Sequence, residues 1–147
     1  MRGCDPFPDL WKRRTVIELP DIGEVPVISL KDMVQCKQTQ RDKDWLMVRR
    51  LVELDYLARR DNPGDEDVRW WLEELRTPSY LMELAKSYPD TISEIKARPW
   101  LEETLKEGET AIKAALLEEQ MQIRKKDQDY WKPLRVELER LRQGRRK

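Results

Sequence analysis

The sequence predicts a mainly α fold with a short N-terminal β-hairpin (α+β), arranged as a helical bundle with a long C-terminal helix. Charged residues make up 39% of the 147-residue chain, well above the usual proportion of about a quarter, which favours long exposed helices. Six tryptophans and four tyrosines argue against disorder, because such side chains need a core or an interface. From residue 29 onward, apolar residues recur mainly at helical three- and four-residue spacing.

Residues 1–28 are predicted to contain a leading segment and the hairpin. Two β-like runs, Thr15–Leu19 and Val25–Ile28, flank a Pro-Asp-Ile-Gly-Glu stretch that supplies the turn. Pro26 limits the second run to an edge or partial strand. A two-stranded hairpin is only marginally stable alone, so we expect its edge to pair with further strands or with a partner. The apolar residues expected to anchor the leading segment are Phe7, Leu10 and Trp11.

Residues 29–100 are predicted to form the helical core. Ser29 is expected to cap its first helix, and Asp32 favours the positive end of that helix. A second helix begins after Thr39-Gln40 and ends at the Asn-Pro-Gly sequence of residues 62–64. Later helices are expected to start at Asp65 or Asp67, at Pro78, and after the break at 89–91. The inner faces expected for these helices include Trp45, Val48, Leu51, Val52, Tyr56, Val68, Trp71, Leu72, Leu75, Leu81, Leu84, Ala85 and Tyr88.

Residues 101–147 are predicted to be a long charged C-terminal helix and a basic tail. The helix is expected from about Glu109 to Asp129, with a break or kink near Pro133. Its apolar stripe is narrow, as in helices that pack against one partner. Fewer than three clean heptads are present, which leaves a coiled coil open as an alternative.

The net charge of zero hides an uneven distribution. Residues 1–60 carry 12 basic and 10 acidic side chains, residues 61–119 carry 7 and 15, and residues 120–147 carry 10 and 4. A basic tail after an acidic middle segment can contact nucleic acid or neutralise that segment internally, and both interpretations are open.

Several classes of protein are disfavoured by what the sequence lacks. It contains no histidine, which removes histidine-based catalytic triads and most zinc sites. Cys4 and Cys36 are too few and too far apart in sequence for a disulfide framework or a metal knuckle. No apolar run approaches the roughly 20 residues that span a bilayer, and the N-terminus lacks the apolar centre of a signal peptide. We therefore expect a reduced, cytoplasmic protein with no membrane partner.

The strongest candidate for a binding site is the segment from Lys37 to Asp44. Cations at the end of one helix that face cations at the start of the next can hold a nucleotide or an RNA backbone. The candidate phosphate-binding residues are Lys37, Arg41, Lys43 and Asp44. Asp44 is expected to orient Arg41 or Lys37 through an ion pair. A solvated helix junction with internal ion pairs is the alternative.

The same segment carries a resemblance to a known family. The pattern Ile-Ser-Leu-x-Asp-Met-Val-x-x-Lys followed by Gln-Arg-x-Lys-Asp resembles the downstream part of nucleotidyltransferase-fold proteins, notably the bacterial abortive-infection and toxin–antitoxin type. The matching residues are Ser29, Leu30, Asp32, Val34, Lys37, Arg41, Lys43 and Asp44. The resemblance covers about residues 7–60. It implies that Lys37 lies near nucleotide phosphates and that the Arg-x-Lys-Asp group lies close to an active site.

The chain departs from that family in its catalytic half. No Gly-Ser dipeptide and no Asp-x-Asp or Asp-x-Glu pair precedes the hairpin, and in the family such carboxylates hold Mg²⁺ for phosphoryl transfer. Asp42-Lys-Asp44 and Asp65-Glu-Asp67 have the spacing but lie downstream, and Met47 replaces a second acidic residue of many relatives. We therefore predict no catalytic residue, no metal ligand and no cofactor in this chain; Mg²⁺ would bind with a nucleotide only if a catalytic half were supplied elsewhere.

Two other groups of side chains are weaker candidates. Tryptophans beside basic residues can stack nucleic-acid bases, but at helical spacing they are expected in a core or interface, with Trp71 inside and Trp70 partly outside. The pairs Glu73-Glu74 and Glu102-Glu103 are expected to form an exposed acidic face, because adjacent helical residues point about 100° apart.

The sequence supports three hypotheses of function. The leading one is a nucleotidyltransferase-like protein, truncated or completed by a partner, which contacts nucleotide or RNA phosphates and is not catalytic alone. The second is a helical protein–protein interaction module, antitoxin-like or scaffolding, that binds a partner or a second copy through the hairpin edge and the C-terminal helix. The third is an RNA-binding module.

Overall fold

The computed structural model describes residues 4–144, and within them the predicted mainly α fold with an N-terminal hairpin is confirmed. The last three residues of the predicted basic tail lie outside this range. The elements in chain order are α1 (Phe7–Lys12), β1 (Thr15–Leu19), β2 (Gly23–Val27), α2 (Leu30–Lys37), α3 (Asp42–Arg59), α4 (Asp65–Glu74), α5 (Pro78–Ser87), α6 (Pro89–Ile92), α7 (Leu101–Glu107) and α8 (Glu109–Gly144).

The described residues pack into two compact units. The first unit contains the residues up to Trp45 together with those from Ile123 onward, and the second contains Leu46–Gln122. Helices α3 and α8 therefore each contribute residues to both units. The three segments predicted from sequence, 1–28, 29–100 and 101–147, follow chain order rather than compactness, and as domains they stay a prediction.

The hairpin of the first unit forms where the sequence predicts it. Strands β1 and β2 are antiparallel, with Thr15 opposite Val27 and Leu19 opposite Gly23. Asp21 and Gly23 adopt φ values of 67° and 85°, the left-handed region that glycine and aspartate tolerate best. Strand β2 begins two residues earlier than expected, and every residue of β1 is exposed.

The leading segment differs from its prediction because it forms a helix, α1. Phe7 and Trp11 are 70% and 46% exposed, so the expectation that they anchor the segment on an apolar surface is wrong. Instead their rings lie 5.6 Å apart, and the Arg14 guanidinium lies 4.4 Å from the Trp11 ring centroid. These contacts cover part of each ring while leaving an apolar surface open to solvent.

An ion pair and a disulfide connect the leading segment to α2. The Arg13 guanidinium donates to both Asp32 carboxylate oxygens at 2.7 and 3.2 Å and holds the pKa of Asp32 below its ordinary value. Cys4 and Cys36 form a disulfide, with Cα atoms 5.4 Å apart. No spacing rule pairs these two cysteines, and the expectation of a reduced chain is wrong for them. The expected cytoplasmic location stays a prediction. Ser29 caps α2 as predicted, since its Oγ accepts from the Asp32 amide at 3.2 Å.

The second unit contains a core of apolar side chains from α3, α4 and α5. Trp71 is fully buried and Trp70 is partly exposed, as predicted. The Trp71 ring packs edge-on against Tyr56 at 5.3 Å, and its Nε1 donates to Asp55 at 2.8 Å. A buried indole whose N–H donates a hydrogen bond avoids the free-energy cost of an unpaired polar group. The predicted inner faces of α4 and α5 are confirmed for Val68, Trp71, Leu72, Leu75, Leu81, Leu84 and Ala85.

Helix α8 differs from its prediction in length. It continues through Pro133 to Gly144 rather than ending near Asp129. A proline inside a helix removes one hydrogen bond to the fourth preceding residue, and α8 remains helical on both sides of that position. Gly108, with a φ of 99°, separates α7 from α8. Within the described residues, none of the helices combines the length and the apolarity that a bilayer crossing demands.

Candidate functional site

The predicted phosphate segment lies at the junction between α2 and α3, inside the first unit. Asp44 is buried in the first turn of α3 and accepts hydrogen bonds from Thr39 Oγ1 at 2.6 Å and Arg41 Nε at 2.7 Å. The Trp45 Nε1 donates to the Thr39 carbonyl at 2.6 Å. These three contacts fix the connection between the two helices.

The carboxylate of Asp44 is stabilised in its charged form. Burial raises the pKa of Asp44, but the hydrogen bonds from Thr39 and Arg41 and the nearby charges of Arg41 and Lys37 outweigh burial and lower it. The Arg41 guanidinium is therefore bound to an internal carboxylate. Any phosphate at this junction has to share Arg41 with Asp44.

Helix α8 contributes two further contacts to the same junction. Asp127 is buried and accepts from the Gln40 amide at 3.0 Å. The Arg124 guanidinium donates to the Gln40 carbonyl at 3.1 and 3.2 Å and to Asp42 Oδ1 at 2.5 Å. The two α8 side chains therefore satisfy the amide and the carbonyl of one loop residue, which otherwise require water.

The four predicted site residues all lie at this junction, but in different environments. Lys37 ends α2 and is half-buried, Arg41 and Lys43 are exposed, and Asp44 is buried. Arg41 and Asp44 form the predicted ion pair. The exposed cations make phosphate contact physically available, while the internal contacts match the alternative of a helix junction with its own ion pairs.

The carboxylates with metal-like spacing at this junction are bound to cations. Asp42 pairs with Arg124, and Asp44 pairs with Arg41. Across residues 4–144, no three side chains of metal-ligating type come together as a possible metal site.

Sequence reasoning missed a buried charged cluster in the second unit. Arg98 is 1% exposed, and its Nη1 donates to the Leu72 and Leu75 carbonyls at 2.8 and 3.0 Å. Its Nε lies 3.2 Å from the Glu119 carboxylate, which Arg76 also approaches at 3.1 Å. Burial and the neighbouring Arg76 lower the pKa of Arg98 to about 10.

This cluster also corrects the prediction for Glu73-Glu74. Burial raises the pKa of Glu74, which lies 3.6 Å from Arg76, so Glu74 does not belong to an exposed acidic face. Glu102 and Glu103 are exposed as expected. No periodic signal in the sequence distinguishes Arg98 from the many exposed arginines.

A second candidate site is an apolar strip on the C-terminal half of α8, here called the distal stripe, formed by Trp131, Leu134, Leu138 and Leu141. Leu134, Leu138 and Leu141 are 45%, 43% and 59% exposed, and Trp131 is half-buried with its ring edge-on to Tyr130. Residues three and four apart share one face of a helix. The stripe therefore presents a continuous apolar face to solvent.

The tryptophans considered for base stacking differ in their exposure to solvent. Trp45 and Trp71 are buried, which makes them core residues, whereas Trp131 belongs to the distal stripe.

Comparison with known proteins adds no relative: the chain matches no protein-family model, no curated protein and no solved structure.

Proposed function

We propose that the chain is a helical protein–protein interaction module whose main contact surface is the distal stripe. The observation that carries this proposal is the exposure of three leucines on one face of α8. Soluble proteins seldom leave a continuous apolar face in water unless a partner covers it. Burying such a surface contributes about 25 cal/mol per Å² of apolar area.

The residues around the stripe suit a protein interface. Lys132, Arg135, Glu137 and Arg142 surround it and are exposed, which gives the apolar centre and charged rim typical of such contacts. The hairpin of the same unit adds exposed apolar side chains, including Val16 and Ile17. Within the described residues its two strands pair with each other in a two-stranded sheet, and an edge strand can pair with another chain.

Site-specific photocrosslinking tests this proposal. A photoreactive amino acid replaces Leu138 in the full chain, and in a matched variant it replaces Gln143, which lies on the opposite side of the same helix. We expect irradiation in cells of the source organism to give a discrete covalent adduct from position 138 and none from position 143, because only the stripe enters an interface. Equal or absent adducts at the two positions would contradict the proposal.

Nucleotide or RNA phosphate contact by a nucleotidyltransferase-like chain is our second proposed function. It is supported by the exposure of Arg41 and Lys43 at one junction and by the nearby Lys37. The carboxylates of Asp42 and Asp44 are paired with arginines, which favours contact with a substrate over metal-dependent chemistry at this junction. Under this proposal the chain alone does not transfer nucleotides.

For this second function, we expect Lys43→Ala to weaken binding of a fluorescent single-stranded RNA and to reduce the salt dependence by about one charge. Lys43 is exposed and does not hold the Asp44 network together, so the fold should be retained. Lys86→Ala, an exposed lysine of the second unit, is the control. An equal loss in both variants would reject a specific junction site. Metal-dependent transfer by the pure chain, abolished by Lys37→Ala, would overturn its assignment as non-catalytic.

A further inference from the structure

We infer that the distal stripe binds the distal stripe of a second copy of this chain, parallel and in register. This inference rests on the proposed interaction function and specifies its partner. The four stripe residues are separated by three, four and three positions, which is the a-d-a-d spacing of a two-stranded coiled coil. In this frame Trp131 and Leu138 occupy a positions, and Leu134 and Leu141 occupy d positions.

The flanking charges select the parallel orientation. Glu137 occupies the g position and Arg142 the e position of the following heptad. In a parallel dimer g lies beside e of the following heptad in the partner, so the symmetry gives two Glu–Arg pairs. An antiparallel dimer places e against e, and both e positions, 135 and 142, are arginines. Like charges in contact disfavour that arrangement.

The remaining positions of the helix permit this pairing. Pro133, Val136 and Gln143 occupy c and f positions, which point away from the seam. Proline at position c therefore does not enter the interface.

The seam has a defined upstream limit. Asp127 and Arg124, at the preceding d and a positions, are bound to the Gln40 loop of the same chain. The paired segment is therefore two heptads long. So short a coiled coil is weak, and the dimer is expected to form in a concentration-dependent way.

Complementary charge reversal tests the partner, the orientation and the register together. Glu137→Arg and Arg142→Glu each create two repulsive pairs in their own parallel homodimer, so each should raise the dissociation constant about tenfold. Mixing the two variants restores both attractive pairs, and the mixture should associate within about twofold of the wild type. Sedimentation equilibrium of the full chain measures the mass, from 17.7 kDa toward twice that value.

Glu139→Arg and Arg140→Glu make the same charge changes at the b and c positions and serve as matched controls that should associate like the wild type. A wild type that stays monomeric, single variants that associate normally, or a mixture that does not recover would each overturn the inference. A monomeric wild type whose position 138 crosslinks to a different protein would overturn the homodimer while supporting the interaction function. A monomeric wild type that also gives no adduct from position 138 would overturn both.

Discussion

Replacing Arg98 by alanine is expected to lower the free energy of unfolding by about 3–5 kcal/mol, because removing one partner from a buried charged cluster strands the others. The Leu72 and Leu75 carbonyls at the end of α4 lose the Arg98 donor, and Glu119 loses its ion pair with Arg98 but keeps the one with Arg76. Denaturant unfolding followed by tryptophan fluorescence measures the change.

The matched control for Arg98 is Arg69→Ala in the same unit. Arg69 pairs with Glu94 at 2.5 Å, but both side chains are about half exposed, so its loss should cost less than about 1 kcal/mol. If Arg98→Ala lowers the free energy of unfolding no more than Arg69→Ala does, the buried cluster does not stabilise the packing of α4 and the first part of α8.

Replacing Asp44 by asparagine is expected to lower the free energy of unfolding by about 2 kcal/mol at neutral pH, since a buried charged acceptor of two hydrogen bonds is lost. The folded-state pKa of Asp44 is below its ordinary value. Its contribution is therefore complete above a pH of about 3.9, the ordinary carboxyl pKa, and disappears as the pH falls through the folded pKa.

Denaturant unfolding at neutral and acid pH measures this effect. The difference between wild type and Asp44→Asn should shrink as the pH falls below about 4, because the wild-type carboxylate is then protonated. Asp129→Asn, at an exposed position of α8 in the same unit, should change stability little at either pH. A pH-independent difference at Asp44 would rule out a carboxylate-specific role at the junction.

The parts of the fold that local chemistry dictates could be predicted from the sequence. Asp21 and Gly23 mark the hairpin turn, and Ser29 marks the start of α2. The buried face of α4, around Trp71 and Leu72, follows from helical spacing alone. Each of these features depends on residues close together in the chain.

The features that the sequence did not predict depend on distant residues. Asp127 caps an amide 87 residues away, and Arg98 binds carbonyls 23 and 26 residues away. Cys4 pairs with Cys36 across 32 residues. No spacing rule links such positions, because only the folded chain brings them together.

The candidate site was predicted in part. Asp44 is expected from the sequence to pair with Arg41 or Lys37, and the pair with Arg41 is present. The anchoring of this junction by Arg124 and Asp127 was not predicted, although both residues lie in the basic C-terminal segment. That anchoring gives the start of the basic segment an internal role, whereas the leucines of the distal stripe are exposed to solvent.

The most direct test of the interaction function compares photocrosslinking at Leu134, Leu138 and Leu141 with photocrosslinking at Gln143. We predict discrete adducts from the three stripe positions and none from Gln143, with adduct masses that identify the partner. Adduct formation that does not depend on the face of α8, or no adduct from any stripe position, would contradict the assignment of this surface as an interface.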